Sequence, residues 1–160
     1  MGYRSDVAIT ILFETLDAAK LFTAKVRAAQ PETVRDALTE YGVHVHEDGV
    51  TVLHGHYESV KWYPNYEDVA AHHKLIELAE EAGAGWRFIR VGEDPDDGED
   101  SYHDPGHGDG WCDRHIWDDS QLVRSVCINL PTTSSQGKEL NAHDLPEWVP
   151  EGTTTSGDPQ

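Results

Sequence analysis

Asp6–Glu14 reads DVAITILFE, with Val7, Ile9, Ile11 and Phe13 on one side of an extended chain and Ala8, Thr10 and Leu12 on the other. Side chains alternate along a strand, so a run that is largely apolar on both sides belongs in the middle of a sheet. This segment asks the rest of the chain for strand partners on both edges.

The residues that follow supply them in a fixed order. Thr15 is placed to cap a helix in which Ala18, Leu21, Phe22, Val26 and Ala29 recur at helical spacing, until Pro31 interrupts it. A second short helix then carries Val34, Ala37, Leu38 and Tyr41 on one stripe, with Gly42 suited to a left-handed cap. Asp48-Gly49 suits a two-residue type I′ turn joining Val43–Glu47 to a long strand that begins at Val50, with a bulge expected at Gly55. After the turn Tyr63–Tyr66 (YPNY), Glu67–Ala82 is amphipathic, with Val69, Leu75, Ile76, Ala79 and Ala82 inward and Gly83 as its stop. Trp86–Val91 and Leu122–Leu130 read as further strands.

That order predicts an α+β fold, a two-layer ferredoxin-like (split βαβ) sandwich with a broken first helix and an extra C-terminal strand. Residues 1–130 form a single domain on this reading, with helices over one sheet face. Residues 131–160, rich in Thr, Ser, Gly, Pro and acids, form a mostly disordered tail in which Leu140, Leu145, Trp148 and Val149 could dock back on the domain or on a partner. With Cys112 and Cys127 forming no disulfide framework and no apolar run of about 18 residues, the expectation is a soluble, intracellular protein.

Charge is distributed unevenly. The chain carries −18 overall, and residues 93–120 hold 11 acidic side chains against the single cation Arg114. Such a surplus favours a cationic partner and argues against direct binding to nucleic acid or an anionic membrane. Five lysines in 160 residues would also fit adaptation to high salt, but clustering favours the partner reading. The 93–119 loop, acidic and rich in His and Gly, is longer than ordinary connections. Its Asp96, Asp97, Asp100, Trp111 and Trp117 are the expected contacts with a basic protein surface, and a folded strip of this kind could imitate a nucleic-acid backbone.

Metal chemistry is the competing use of the same segment. His103, His107, Cys112 and His115, with Asp109 and Asp113, offer nitrogen, sulfur and oxygen donors, and Cys112-x-x-His115 is a zinc half-site without a matching second half. Asp94-x-Asp96-x-Gly98 fails as a calcium loop, having Glu99 at the sixth position and Pro105 at the twelfth. A two-residue turn would pair position 46 with 51 and 44 with 53, which puts His44 and His46 on the face opposite His54 and His56. The divalent-metal candidates on the hairpin are therefore His54 and His56, helped by Glu58, His72 or His73. His72, three residues from both Val69 and Leu75, reads better as a core-edge histidine with one hydrogen bond.

Trp62, Tyr63 and Tyr66 either close the end of the core or line an aromatic pocket near Arg87, Arg90 and Glu93. No nucleophile–base motif, P-loop or H-E-x-x-H is present, so no catalytic residue and no cofactor is assigned.

Met1–Val7 (MGYRSDV), 61–69 (KWYPNYEDV), 88–94 (FIRVGED) and 123–130 (VRSVCINL) together resemble a group of small, acidic, largely uncharacterised proteins encoded by bacteriophages and prophages. The resemblance implies a phage origin and the cytoplasm of an infected bacterial host, and carries no site. The expanded His/Gly/Asp loop and long tail depart from that group. A non-enzymatic accessory protein that binds a basic surface of a host or phage protein is thus the leading expectation. A metal-binding protein or metal-dependent enzyme, and a virion component, are the alternatives.

Overall fold

In the computed structural model the described residues are 3–94, 96–106, 110–112, 115–116 and, for their backbone pairing, 138–141. They form a mixed α+β structure. The elements run β1 (Ser5–Phe13), α1 (Leu16–Ala29), α2 (Glu32–Thr39), β2 (Gly42–Val45), β3 (Thr51–Val60), α3 (Glu67–Glu81), β4 (Gly85–Gly92), β5 (Gly98–His103) and β6 (Lys138–Asn141). The strands make one antiparallel sheet in the order β5-β4-β1-β3-β2-β6. Leu122–Leu130, Trp117, His107 and the rest of the tail lie outside the described residues.

β1 is central, as its two-sided apolar pattern requires, and all but one of its nine residues are buried. Val7, Ile9, Ile11 and Phe13 meet Phe22 and Val26 of α1, Leu38 of α2 and Leu75 and Ala79 of α3 in the main core. The chain between β1 and β2 breaks into two helices for the expected reasons. Thr15 Oγ1 accepts from the Ala18 N–H at 3.1 Å, and Pro31 is the residue from which α2 starts. Ala82, expected inward, is exposed at the end of α3.

The second face of β1 is also covered. Leu12, Val50 and Val52 form a smaller cluster with Trp111, Cys112 and Ile116, so these three lie over the sheet face opposite the helices. Gly85, directly across from Leu12 on β4, makes that approach possible, because a Cβ there would overlap the Cys112 sulfur and press on the His103 carbonyl. Trp111, expected as an exposed anchor for a partner, is 2% exposed. Its aromatic area is spent on this second core, which the bare second side of a two-layer sheet needs in order to exclude water.

The β2–β3 hairpin differs from expectation by one residue, with large effect. His46 N donates to Val50 O at 2.8 Å and Gly49 N to His46 O at 2.9 Å, so the loop is three residues, Glu47-Asp48-Gly49, with Gly49 at φ 94°. The register becomes Val43 with Leu53 and His44 with Val52. Because side chains alternate, that single step puts Val43 and Val45 under the helices and brings His44, His46, His54 and His56 to the same, opposite face. The bulge, expected at Gly55, lies instead where β3 reaches Ser59 (φ 55°), opposite Asp6. Two strands differ from expectation: Gly98–His103 pairs with β4 inside the segment expected to be a loop, and Lys138–Asn141 pairs with β2 from within the expected tail.

Gly85→Ala should therefore cost about 1–3 kcal/mol, the usual range for overpacking a tight site. Combined with Cys112→Ala, which removes the opposing sulfur, it should show a coupling of about 1 kcal/mol or more in a urea-unfolding double-mutant cycle. Additive effects would mean that 110–112 does not pack on Gly85.

Candidate functional site

The end of the sheet formed by β4 and β5 gathers most of the described acidic segment. Asp94 and Asp97 close the reversal of the chain between the strands. Asp97 N donates to Asp94 O at 3.0 Å and Gly92 N to Asp97 O at 2.7 Å, after which Arg90 faces Glu99 and Arg87 flanks the register of Asp100. Two carboxylates serve the strand next door. Asp97 takes Arg90 in a bidentate pair at 2.9 and 3.0 Å, and Asp100 takes Arg87 at 2.7 and 3.0 Å. Arg87 is only 2% exposed, so its charge requires the Asp100 carboxylate, itself 46% exposed.

Parity separates the two arginines. Arg87 shares the face of Thr10, opposite the helices, whereas Arg90 shares that of Val7 and Phe88, beneath them. Arg90 Nη1 also reaches Ser5 Oγ at 3.2 Å and its Nε lies 3.6 Å from Glu99. Tyr3 completes the corner. Its hydroxyl accepts from Asp94 N at 3.0 Å and bonds the Asp97 side chain, in the space left open by Gly92, where a Cβ would strike both groups. Hydrogen bonds from Arg90 and then Tyr3 hold Asp97 down at about 2, below the ordinary 3.8.

Beside this corner is a cleft of about 480 Å³ lined by Tyr3, Ser5, Trp62, Tyr63, Pro64, His73, Arg90, Asp97 and Glu99. Its aromatic wall is fastened on both sides. Tyr63 Oη accepts from Tyr3 N at 3.0 Å, and Trp62 packs on Phe88 at 6.0 Å and edge-on to His73 at 5.9 Å between ring centres. The aromatic pocket expected near Arg90 is thus present. Of the residues expected there, Tyr66, Arg87 and Glu93 are not part of its lining, whereas Tyr3, Ser5 and His73 are, without a local pattern to mark them.

His72, next to His73, turns inward. It is 4% exposed, its Nδ1 lies 3.0 Å from Tyr41 Oη, and burial lowers its pKa from 6.5 to about 4. This is the core-edge histidine that its spacing suggested.

The metal candidates disperse. His103 sits beside Glu80 of α3, with Nδ1 at 3.6 Å from Oε2, on the helix side of the sheet. Cys112 is buried against Gly85 on the other side. His115 Nε2 meets Asp48 Oδ2 at 2.9 Å and its ring stacks on His46 at 4.1 Å. Burial works against ionising Asp48, but hydrogen bonds from His115 and the Val50 N–H outweigh it and keep its pKa low. The His54 ring lies over Gly42, and His56 pairs with Ala8. Among the described residues no three His, Cys, Asp or Glu side chains gather where an ion could be held. Asp96 is exposed at the hairpin tip.

Compared with known proteins, the chain matches no family model, no curated protein and no solved structure. Among the described residues no helix is long and apolar enough to cross a membrane.

Two outcomes test this division of labour. Asp100→Ala should lower stability by about 2–3 kcal/mol, because it takes a bidentate carboxylate from a buried guanidinium, while Asp96→Ala should change it by less than about 0.5 kcal/mol. Chemical denaturation separates them, and equal effects would reject a structural role for Asp100. For His72 the unfolded state takes up its proton near pH 6.5 and the folded state only near 4, so stability is full above 6.5 and lost as pH falls through that window. The loss should approach about 3 kcal/mol between pH 7 and 4, and His72→Gln should lose correspondingly less over the same interval.

Proposed function

We propose that the protein is a non-enzymatic accessory protein that binds a basic surface of a host or phage protein through the β4–β5 end of its sheet. The observation that carries this reading is the charge left over at that end. Asp97 and Asp100 are matched to Arg90 and Arg87 and Glu99 lies 3.6 Å from Arg90, yet Glu93, Asp94 and Asp96 at the hairpin and Asp104 past the far end of β5 are all exposed. Carboxylates crowded on one rigid edge repel one another, and a cationic surface relieves that repulsion while steering association. An acidic edge strand also discourages uncontrolled pairing of β5 with other chains.

The expected contacts shift accordingly. Asp96 stays in the set, with Glu93, Asp94, Glu99 and Asp104 added. Asp97 and Asp100 lie in the same surface but act first on their own arginines, and buried Trp111 leaves it. A phage source, the cytoplasm of an infected bacterium and a place in the virion belong to the same proposal and rest on the sequence resemblance. For the fold, we infer a ferredoxin-like (split βαβ) core. It is supported by the central order β4-β1-β3-β2 with α1, α2 and α3 packed into one core, and it carries an added strand at each edge.

The test is affinity capture from infected cells with the wild-type chain and with Asp94→Asn/Asp96→Asn/Asp104→Asn, which leaves every arginine pair in place. Wild type should retain a protein with a basic surface, release it as salt rises to about 0.5 M because exposed charges are screened, and lose it in the variant. Undiminished capture by a folded variant would overturn the reading.

A further inference from the structure

The cleft beside the acidic hairpin differs from the surface around it in having aromatic walls. At about 480 Å³ it falls in the range of sites that accept small ligands or single side chains, and Trp62, Tyr63 and Tyr3 supply ring surface along it. A lone arginine in such a place would ordinarily suggest an anion. Arg90 does not act that way. Its Nη1 is used by Ser5 and Asp97, its Nη2 by Asp97, and its Nε by Glu99, so an incoming phosphate or carboxylate would have to displace a bidentate carboxylate partner. The neighbouring Arg4 is turned to the Ser59 carbonyl at 2.6 Å.

The lining thus carries two carboxylates against one guanidinium, and Glu99, half exposed, reaches Arg90 only at 3.6 Å. Aromatic faces beside excess carboxylate select a cation, and specifically a flat one: a guanidinium stacks on a ring while its N–H edge forks onto a carboxylate, which an ammonium cannot do. We propose that this cleft receives an arginine side chain from the basic partner, stacked against Trp62 or Tyr63 with Glu99 as its carboxylate acceptor. The proposal rests on the partner-binding reading and adds to it an anchoring residue.

It can be tested without the partner. The full chain, labelled with ¹⁵N, is titrated with N-acetyl-arginine methylamide, its lysine and citrulline counterparts, and N-acetyl-glutamate methylamide. The arginine compound should give saturable shifts at the Trp62 indole and the Glu99 amide, and bind several-fold more tightly than lysine. The citrulline and glutamate compounds should not saturate. Glu99→Gln should weaken arginine binding about threefold or more and Glu99→Arg should abolish it. Both leave the core untouched, since Glu99 is exposed. Equal binding of citrulline or lysine, binding of the glutamate compound at these residues, or no saturable shift with arginine up to about 50 mM would each overturn the proposal. Because the capture variant changes none of the residues lining the cleft, the two ideas fail separately: lost arginine binding with intact acid-dependent capture removes only the cleft, and the reverse removes only the acidic surface.

Discussion

A strand that is apolar on both faces must be covered twice, and β1 imposes that condition on everything around it. On one side the cover is three helices, which bring their own stripes of Phe22, Leu38 and Leu75. On the other it is a short stretch of chain, and Trp111 does there what a helix does opposite, contributing a large buried area from one residue. The sheet could not have been left with its second side in water, because Leu12, Val50 and Val52 would all have been exposed together. The acidic segment therefore serves two ends: its first half extends the sheet, and its later residues help close it.

The same economy governs charge. β4 places arginines of opposite parity on the two sides of the sheet, and the hairpin answers each with a carboxylate, Asp97 from the turn and Asp100 from β5, so pairing the strands also neutralises the strand next door. A buried guanidinium without its partner is far costlier than an exposed acid without one, which is why Asp100 is held by structure whereas Asp96 is held by little more than the turn. The excess that remains lies at one edge, next to the aromatic wall formed by the 61–64 segment. Geometry there depends on small details, among them the space left at Gly92 and the left-handed turn of Ser59 that redirects β3 towards the wall.

Much of this was legible in the residues. Two-sided alternation marked β1, Thr15 and Pro31 marked the helix boundaries, and the aromatic run at 62–66 marked a pocket near Arg90. β5 was concealed because Gly98–His103 (GEDSYH) has no apolar alternation: it is an edge strand whose pairing follows from its neighbour's arginines and not from burial. The cue was available in Asp94-Pro95-Asp96-Asp97-Gly98, a turn composition, between Arg87/Arg90 and Asp97/Asp100. Trp111 misled because density of acids around a tryptophan says nothing of the surface it lands on. Ser5 reaches the cleft through the register of β1 with β4, and Tyr3 through its hydrogen bonds with Tyr63 and Asp94, none of which a local pattern contains.

The hairpin turn at Glu47-Asp48-Gly49 shows how little separates one surface from another. Its length sets which half of β2 looks toward the helices, so removing one residue would turn His44 and His46 inward and Val43 and Val45 outward, while His54 and His56 keep the face that β1 sets for β3. The arrangement of this face is in that sense encoded by a count: the number of residues in the turn cannot change without rewriting the alternation of β2.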